Sequence, residues 1–195
     1  MELVLQTKKL QHSEMIIIQM IPECHKSSAL ISKRKFNELQ VMNTITIYFD
    51  KPKSFEPQNI APLKGIIGLY FIFTKVTYIQ YPFDKSKLLY IGMSERRTNS
   101  IGSRLLGHFD GKSKNIGLIN YRKITPLLFT YINFDILKAN WKHKVEDLES
   151  YFILSFVDHY GVYPICNNKT GYEVQNWDLK VKLNIDWNYF KQDNL

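Results

Sequence analysis

The chain has 195 residues, enough for one domain of ordinary size with additional segments around it. Hydrophobic residues make up 45% of the chain and charged residues 23%, a composition that excludes general disorder. The formal net charge is +8, from 26 Lys and Arg against 18 Asp and Glu, which favours a polyanionic partner such as nucleic acid. A membrane surface is the alternative partner for such a charge.

The cysteines and the apolar runs indicate the compartment. Cys24 and Cys166 are the only cysteines, too few for a disulfide framework. The most apolar early run, residues 15–21, is far too short to span a bilayer and lacks the layout of a signal peptide. We therefore expect a cytoplasmic protein that has no membrane partner.

The first part of the chain is predicted to be an N-terminal extension, residues 1–63, that serves as a DNA-contact or dimer arm. It contains two strand-like runs, residues 15–21 and 44–49, around a basic stretch with helical potential, residues 27–39. A cluster of prolines before residue 64 is typical of a linker, because proline lacks a backbone donor and restricts its predecessor.

Three apolar runs predict the strands of a core unit over residues 64–168. Residues 65–73 and 88–94 are joined by a long connection, which favours an antiparallel hairpin with an enlarged loop. Residues 125–134 predict the third strand. The rest of the chain, residues 169–195, is expected to be a C-terminal extension packed on the core.

Two helices are predicted between and after these strands. Residues 98–100 offer N-caps for a first helix that ends at Gly111. Apolar residues recur at helical spacing over residues 141–159, and Gly161 ends that helix. The element order predicts an α/β (α+β) fold in which helices flank a small central antiparallel three-stranded sheet.

Two tyrosines and two glycines stand out in the first two strands. Because strand side chains alternate, Tyr70 shares a face with Gly68, and Tyr90 shares a face with Gly92. If both tyrosines lie on the same side, that side carries two phenols next to two side-chain gaps where a phosphate could approach the backbone. The alternative for either tyrosine alone is an ordinary packing role.

The helices contribute charged side chains to the same region. Arg104 and His108 are four residues apart and therefore lie on one face of the first helix. Glu149 lies along an apolar edge of the second helix, whereas Glu146 looks solvent-facing and is the weaker candidate. A single carboxylate suits a hard cation such as Mg²⁺, which keeps most of its waters and binds substrate phosphate.

These residues resemble the GIY-YIG nuclease superfamily over residues 64–168. The sequence GLY at 68–70 matches the first half of the family motif, with Leu69 in place of isoleucine, and YIG at 90–92 matches the second half. Arg104 followed by His108 is similar to the family helix that carries an essential arginine and a nearby histidine.

Two later segments extend the resemblance. The sequence ESYFI, which begins at Glu149, is similar to the stretch that begins with the family's metal-binding glutamate. The sequence PICN, which ends at Asn167, resembles the proline and asparagine that close the family core. The resemblance implies that Asn167 belongs to the site and holds its backbone in place.

The resemblance implies metal-assisted hydrolysis of phosphodiester bonds. Tyr70 or Tyr90 would act as the general base or orient the attacking water. Arg104 and His108 would bind the scissile phosphate, and Glu149 would hold Mg²⁺ or Mn²⁺. A phenol is a poor base in water, so nearby positive charge has to lower the pKa of the reacting tyrosine.

The function expected from this resemblance is a cytoplasmic endonuclease that cuts double-stranded DNA at specific sequences, as small restriction enzymes of the superfamily do. Such an enzyme could form a homodimer to cut both strands. The alternatives are a structure-selective repair or mobile-element nuclease and a catalytically inert nucleic-acid-binding module. The hairpin connection and the stretch between YIG and Arg104 are both longer than in the shortest family members. Basic residues in these two loops and after the first helix are candidate DNA contacts: Lys85, Lys87, Arg96, Arg97, Lys112 and Lys114.

The C-terminal aromatic residues have two interpretations. Trp177, Trp187, Tyr189 and Phe190 are interleaved with lysines and could stack on bases. Packing against the core is the favoured interpretation, because large aromatic side chains dominate core energetics.

Overall fold

The computed structural model describes residues 43–168 and 181–192, which form a mixed α/β fold. The strand and helix predicted within residues 1–42 lie outside the described residues, as does Trp177. The strands are β1 (Asn43–Ile47), β2 (Lys53–Ser54), β3 (Gly68–Thr74), β4 (Ile79–Gln80), β5 (Lys85–Ser86), β6 (Leu88–Ser94), β7 (Leu127–Asn133) and β8 (Val181–Ile185). The helices are α1 (Pro57–Ile60), α2 (Ile101–Phe109), α3 (Ile116–Ile124), α4 (Phe134–Leu137) and α5 (Val145–Tyr160), with short 3₁₀ helices at Ala61–Leu63 and Trp187–Lys191.

The central sheet is antiparallel and has the strand order β2-β7-β3-β6. Its three long strands are those that the apolar runs predict. The prediction of a three-stranded sheet is wrong, however, because Lys53 and Ser54 pair with Phe129 and Leu128 on β7 and add a fourth strand. This added strand comes from the predicted N-terminal extension, so part of that segment is built into the sheet.

The sheet separates two hydrophobic cores because strand side chains alternate between its faces. On one face, Leu69, Phe71 and Phe73 pack against α5 and the C-terminal segment. On the other face, Tyr70 and Ile72 pack in a second core with residues of α1, α2 and α3. The two central strands thus place the tyrosine of the first motif on the side of α2.

The C-terminal segment completes the first core. Strand β8 pairs in parallel with β1, a pairing that the apolar pattern did not predict. Trp187, Tyr189 and Phe190 are buried, with Phe190 fully inaccessible and in ring contact with Phe71 and Phe73. The packing interpretation of these three aromatic residues is confirmed.

The two helices predicted for the core occur as α2 and α5, although α5 begins at Val145 and not near residue 141, and α1, α3 and α4 were not predicted. Ser100 caps α2 by accepting a hydrogen bond from the Ser103 N–H, and Gly161 ends α5 in the left-handed region at φ +87°. The longest of these unpredicted helices, α3, buries Leu118 but leaves Ile116 and Ile124 exposed, so its apolar residues form no helical stripe. Among the described residues, no helix is long and apolar enough to cross a membrane.

We predict that Phe190→Ala lowers the free energy of unfolding by about 3–5 kcal/mol, because it leaves a cavity in a close-packed core. Chemical denaturation measures this change, and Ile124→Ala is the matched control. Ile124 is 76% exposed, so its replacement should change stability by no more than about 0.5 kcal/mol. Equal effects of the two substitutions would contradict the packing described for the C-terminal segment.

Candidate active site

The two tyrosines of the motifs lie on the same face of the sheet, which the sequence left open and the β3–β6 register settles. Tyr70 is opposite Gly92 and Tyr90 is opposite Ile72 in the β3–β6 register, and the two phenol rings are 6.0 Å apart between centroids. A Cβ atom at Gly92 would lie 2.5 Å from the Tyr70 hydroxyl oxygen. Glycine is therefore required at position 92 for the Tyr70 ring to lie across the strand.

Helix α2 brings its functional residues against these rings. Nε2 of His108 lies 3.1 Å from the Tyr70 hydroxyl oxygen, and the imidazole centroid lies 4.9 Å from that of the Tyr90 ring. The close approach of α2 depends on Gly102, where a Cβ would meet the backbone carbonyl carbon of Leu63 at 2.7 Å. The 3₁₀ helix before β3 thus sets how closely α2 approaches the sheet.

A polar cavity of about 570 Å³ lies at the edge of β6. Five of the six predicted catalytic residues line it, namely Tyr90, Arg104, His108, Glu149 and Asn167. The sixth, Tyr70, is fully buried behind them. Of the two tyrosines, therefore, Tyr90 is the one that faces the cavity.

Asn167 holds the edge of β6 through its side-chain amide. Its Oδ1 accepts a hydrogen bond from the Ile91 N–H at 3.0 Å, and its Nδ2 donates to the Ile91 carbonyl at 2.8 Å. This contact agrees with the backbone-holding role implied for Asn167. Asn167 occupies a position that a neighbouring strand would otherwise take.

Asn115 is a functional residue that the sequence interpretation missed. Its Oδ1 accepts from the Leu118 N–H and caps α3, while its Nδ2 donates to the Cys166 carbonyl at 2.9 Å. It thereby joins α3 to the segment that carries Asn167. The sequence signal that could have indicated this role is the asparagine itself directly before Ile116, because asparagine is a preferred N-cap residue.

Burial favours the protonated form of both phenols, and the charge of Arg104 opposes this effect. Burial raises the pKa of Tyr70 well above its ordinary value, and the neighbouring Tyr90 adds to this effect. Burial also raises the pKa of Tyr90, with a further contribution from the negative charge of Glu149. Arg104 opposes both shifts, since its guanidinium favours the ionised phenol. Arg104 thus stabilises a phenolate at either position, and a hydrogen bond with Tyr70 adds to this effect at Tyr90.

His108 is held in its neutral form. Burial, followed by the positive charge of Arg104, lowers the pKa of His108 to about 4. Its Nδ1 is buried without a hydrogen-bond partner among the described residues. The imidazole therefore offers the site a neutral nitrogen at pH 7, not a second positive charge.

The donor set around the cavity fits a hydrated Mg²⁺ or Mn²⁺ ion. Glu149 is half-buried and lines the cavity, and exposed Glu146 lines it one turn earlier on α5. Within the described ranges, no group of three or more His, Cys, Asp or Glu residues could hold a metal. One or two carboxylates beside open space suit an ion that keeps several waters and also binds phosphate.

The predicted DNA contacts at the beginning of β6 lie away from the cavity. Lys87 is only 1% exposed, and its ammonium donates to the Gln192 carbonyl at 2.7 Å. The prediction that Lys87 contacts nucleic acid is therefore wrong, because its side chain is buried and its ammonium binds a carbonyl of the protein itself. Lys85 is exposed, and its ammonium lies 4.4 Å from the centroid of the Tyr78 ring.

The remaining predicted contacts are exposed, and one of them lines the cavity. Lys112 lies at the cavity and pairs with Asp110 at 3.5 Å. The side chain of Arg97 donates to Asp135 at 2.9 Å and to the Gly65 carbonyl at 3.1 Å. Arg96 pairs with its neighbour Glu95, and Lys114 is exposed in a turn.

Comparisons of the chain with protein-family models, with curated proteins and with solved structures find no match.

We predict that His108 makes the stability of the fold depend on pH. Below the ordinary histidine pKa of about 6.5, His108 binds a proton in the unfolded chain but not in the folded one. The free energy of unfolding therefore falls as the pH falls. This loss ends near pH 4, where folded His108 also titrates. It amounts to about 3 kcal/mol for a shift of this size.

The measurement is the free energy of unfolding between pH 4 and 8 for the wild type, His108→Gln and His143→Gln. The pH dependence should be weaker in His108→Gln than in the wild type. The His143→Gln control should retain it, because His143 is exposed. An identical slope in the wild type and His108→Gln would contradict the buried neutral state of His108.

Proposed function

We propose that the chain is a metal-dependent endonuclease of the GIY-YIG type that hydrolyses phosphodiester bonds in double-stranded DNA. The observation that carries this proposal is the convergence of Tyr90, Arg104, His108 and Glu149 on one cavity from three separate elements, β6, α2 and α5. The net charge of +8 supports a polyanionic substrate.

The two phenols take different roles in this proposal. Tyr90 faces the cavity and orients the attacking water; in its ionised phenolate form it accepts the proton of that water as the water attacks phosphorus. Tyr70 lies behind Tyr90, where its hydroxyl group is fixed by the hydrogen bond with His108. Because burial disfavours a phenolate, proton acceptance by Tyr90 requires the nearby charge of Arg104.

Arg104 acts on the phosphate, and His108 supports the site behind it. The half-buried guanidinium of Arg104 offers fixed donors to the oxygens that gain negative charge in the transition state. His108 holds the Tyr70 hydroxyl in position through its Nε2, and because it is neutral it adds no positive charge beside Arg104. Asn167 keeps β6 in place beneath the reacting groups through its two hydrogen bonds to Ile91.

Glu149 is the residue that would hold the metal ion. A bound Mg²⁺ or Mn²⁺ supplies Lewis-acid stabilisation of the phosphate and of the leaving oxygen. Because Glu149 and Arg104 line the same cavity, a cation held by Glu149 and the Arg104 guanidinium would both be available to the scissile phosphate.

We propose further that cleavage is sequence-specific, as in restriction enzymes, and that a homodimer cuts both strands in the cytoplasm. The loop before α2 supports sequence reading, because it carries exposed Arg96 and Arg97 and its Asn99 lines the cavity. The connection between β3 and β6 does not add support, because none of its described residues lines the cavity.

We expect the purified chain to cut duplex plasmid or phage DNA into discrete fragments with Mg²⁺ and to leave it intact with EDTA. Glu149→Gln should lower the cleavage rate by about 10²–10³, the usual effect of losing one group that stabilises transition-state charge. A gel assay on duplex, branched and single-stranded DNA measures both the rate and the substrate preference.

Asp158→Asn is the matched control, because it removes an exposed carboxylate from the same helix away from the cavity. Its cleavage rate should equal that of the wild type. Cleavage that persists in EDTA, or that survives Glu149→Gln, would contradict the proposed site. Preference for branched DNA would support the structure-selective alternative, and binding without cleavage of any substrate would support the inert module.

A further inference from the structure

The outer edge of β6 is covered along only part of its length. Strand β6 lies at the edge of the central sheet, so alternate residues direct their backbone N–H and C=O groups away from β3. The Leu89 carbonyl accepts a hydrogen bond from the Cys166 N–H at 2.9 Å. Ile91 exchanges two hydrogen bonds with the side chain of Asn167. These contacts establish which residues of β6 point their backbone groups outward.

Met93 is the next residue in this series. It lies two residues beyond Ile91 and opposite Leu69 on β3, so its backbone N–H has the same outward direction as that of Ile91. Met93 lines the cavity together with Arg104 and Glu149. The described hydrogen bonds to the outer edge of β6 end at Ile91, and Met93, which lies beyond Ile91, lines the cavity.

We propose that the backbone N–H of Met93 binds the substrate by donating a hydrogen bond to a non-bridging phosphate oxygen of the DNA strand in the cavity. This inference rests on the proposed nuclease function and adds a phosphate-binding group to it. A strand N–H is fixed by the sheet, so it loses little conformational freedom on binding. Its partner is charged, and hydrogen bonds to charged acceptors are stronger than neutral ones.

The Met93 contact would complement Arg104. The N–H comes from the sheet and the guanidinium from α2, so the two donors approach the cavity from different elements. Two such donors fix the orientation of a phosphate better than one flexible side chain. The Met93 carbonyl points the same way as its N–H, which limits this contact to a single phosphate oxygen.

The first test compares Met93→Pro with Met93→Ala. Proline removes the N–H, and an edge strand tolerates it where that N–H points outward. Met93→Ala keeps the N–H while removing most of the side chain. We expect Met93→Pro to lower kcat/KM for plasmid cleavage about tenfold to a hundredfold relative to Met93→Ala, as for a lost hydrogen bond to a charged group. Equal kcat/KM values in two folded variants would overturn the proposal.

The second test reads the contact in the wild-type chain, so it holds even if Met93→Pro fails to fold. The ¹H–¹⁵N spectrum is recorded with a short mixed-sequence DNA duplex and Ca²⁺ in place of Mg²⁺. We expect a downfield shift of the Met93 amide proton and slower exchange of that proton with solvent. A Met93 amide that is unchanged at saturating duplex would overturn the proposal.

The outcomes separate this inference from the proposed function. Plasmid cleavage with an unchanged Met93 amide overturns the Met93 contact and leaves the nuclease standing. A wild-type chain that cuts no DNA overturns the nuclease function, while the Met93 amide still reports whether this edge binds phosphate.

Discussion

The close packing of Tyr70 over Gly92 is the constraint on which the rest of the site depends. The β3–β6 register places the tyrosine opposite the glycine, and the absence of a side chain at position 92 lets the phenol lie across the neighbouring strand. From there its hydroxyl group meets Nε2 of His108 on α2. The hydrogen bond joins the helix to the sheet, and Tyr90 is left as the phenol that faces the cavity.

The cavity exists because β6 is an edge strand whose edge is only partly covered. Asn167 binds Ile91 with its side chain, as a neighbouring strand would with its backbone, and Asn115 anchors the segment that carries it. Helix α5 places Glu149 in the lining of the cavity at this edge. Glu149 and Arg104 therefore line the same cavity, where Tyr70 and, less strongly, the negative charge of Glu149 contribute to the raised pKa of the Arg104 guanidinium.

Helical spacing was sufficient to place Arg104 and His108 on one face of a helix. Alternation placed each tyrosine on the face of its neighbouring glycine, but that Tyr70 and Tyr90 share a face depends on the β3–β6 register, which the sequence left open. Other features depend on contacts that no local pattern carries. Strand β2 has two residues and so has no detectable period. Helix α3 exposes two of its isoleucines, so its apolar residues do not follow the helical spacing that would predict a buried face. The burial of Lys87 depends on the carbonyl of Gln192, which is distant in sequence.

The most direct measurement of the central claim is a crystal structure with Mn²⁺ and a duplex whose scissile phosphate carries a non-hydrolysable phosphorothioate. Anomalous scattering locates the manganese independently of the protein model. We expect one manganese bound to the Glu149 carboxylate and to the scissile phosphate, with the same phosphate in contact with Arg104. A manganese bound elsewhere, or a phosphate that lies away from Arg104, would contradict the assignment of this cavity as a nuclease active site.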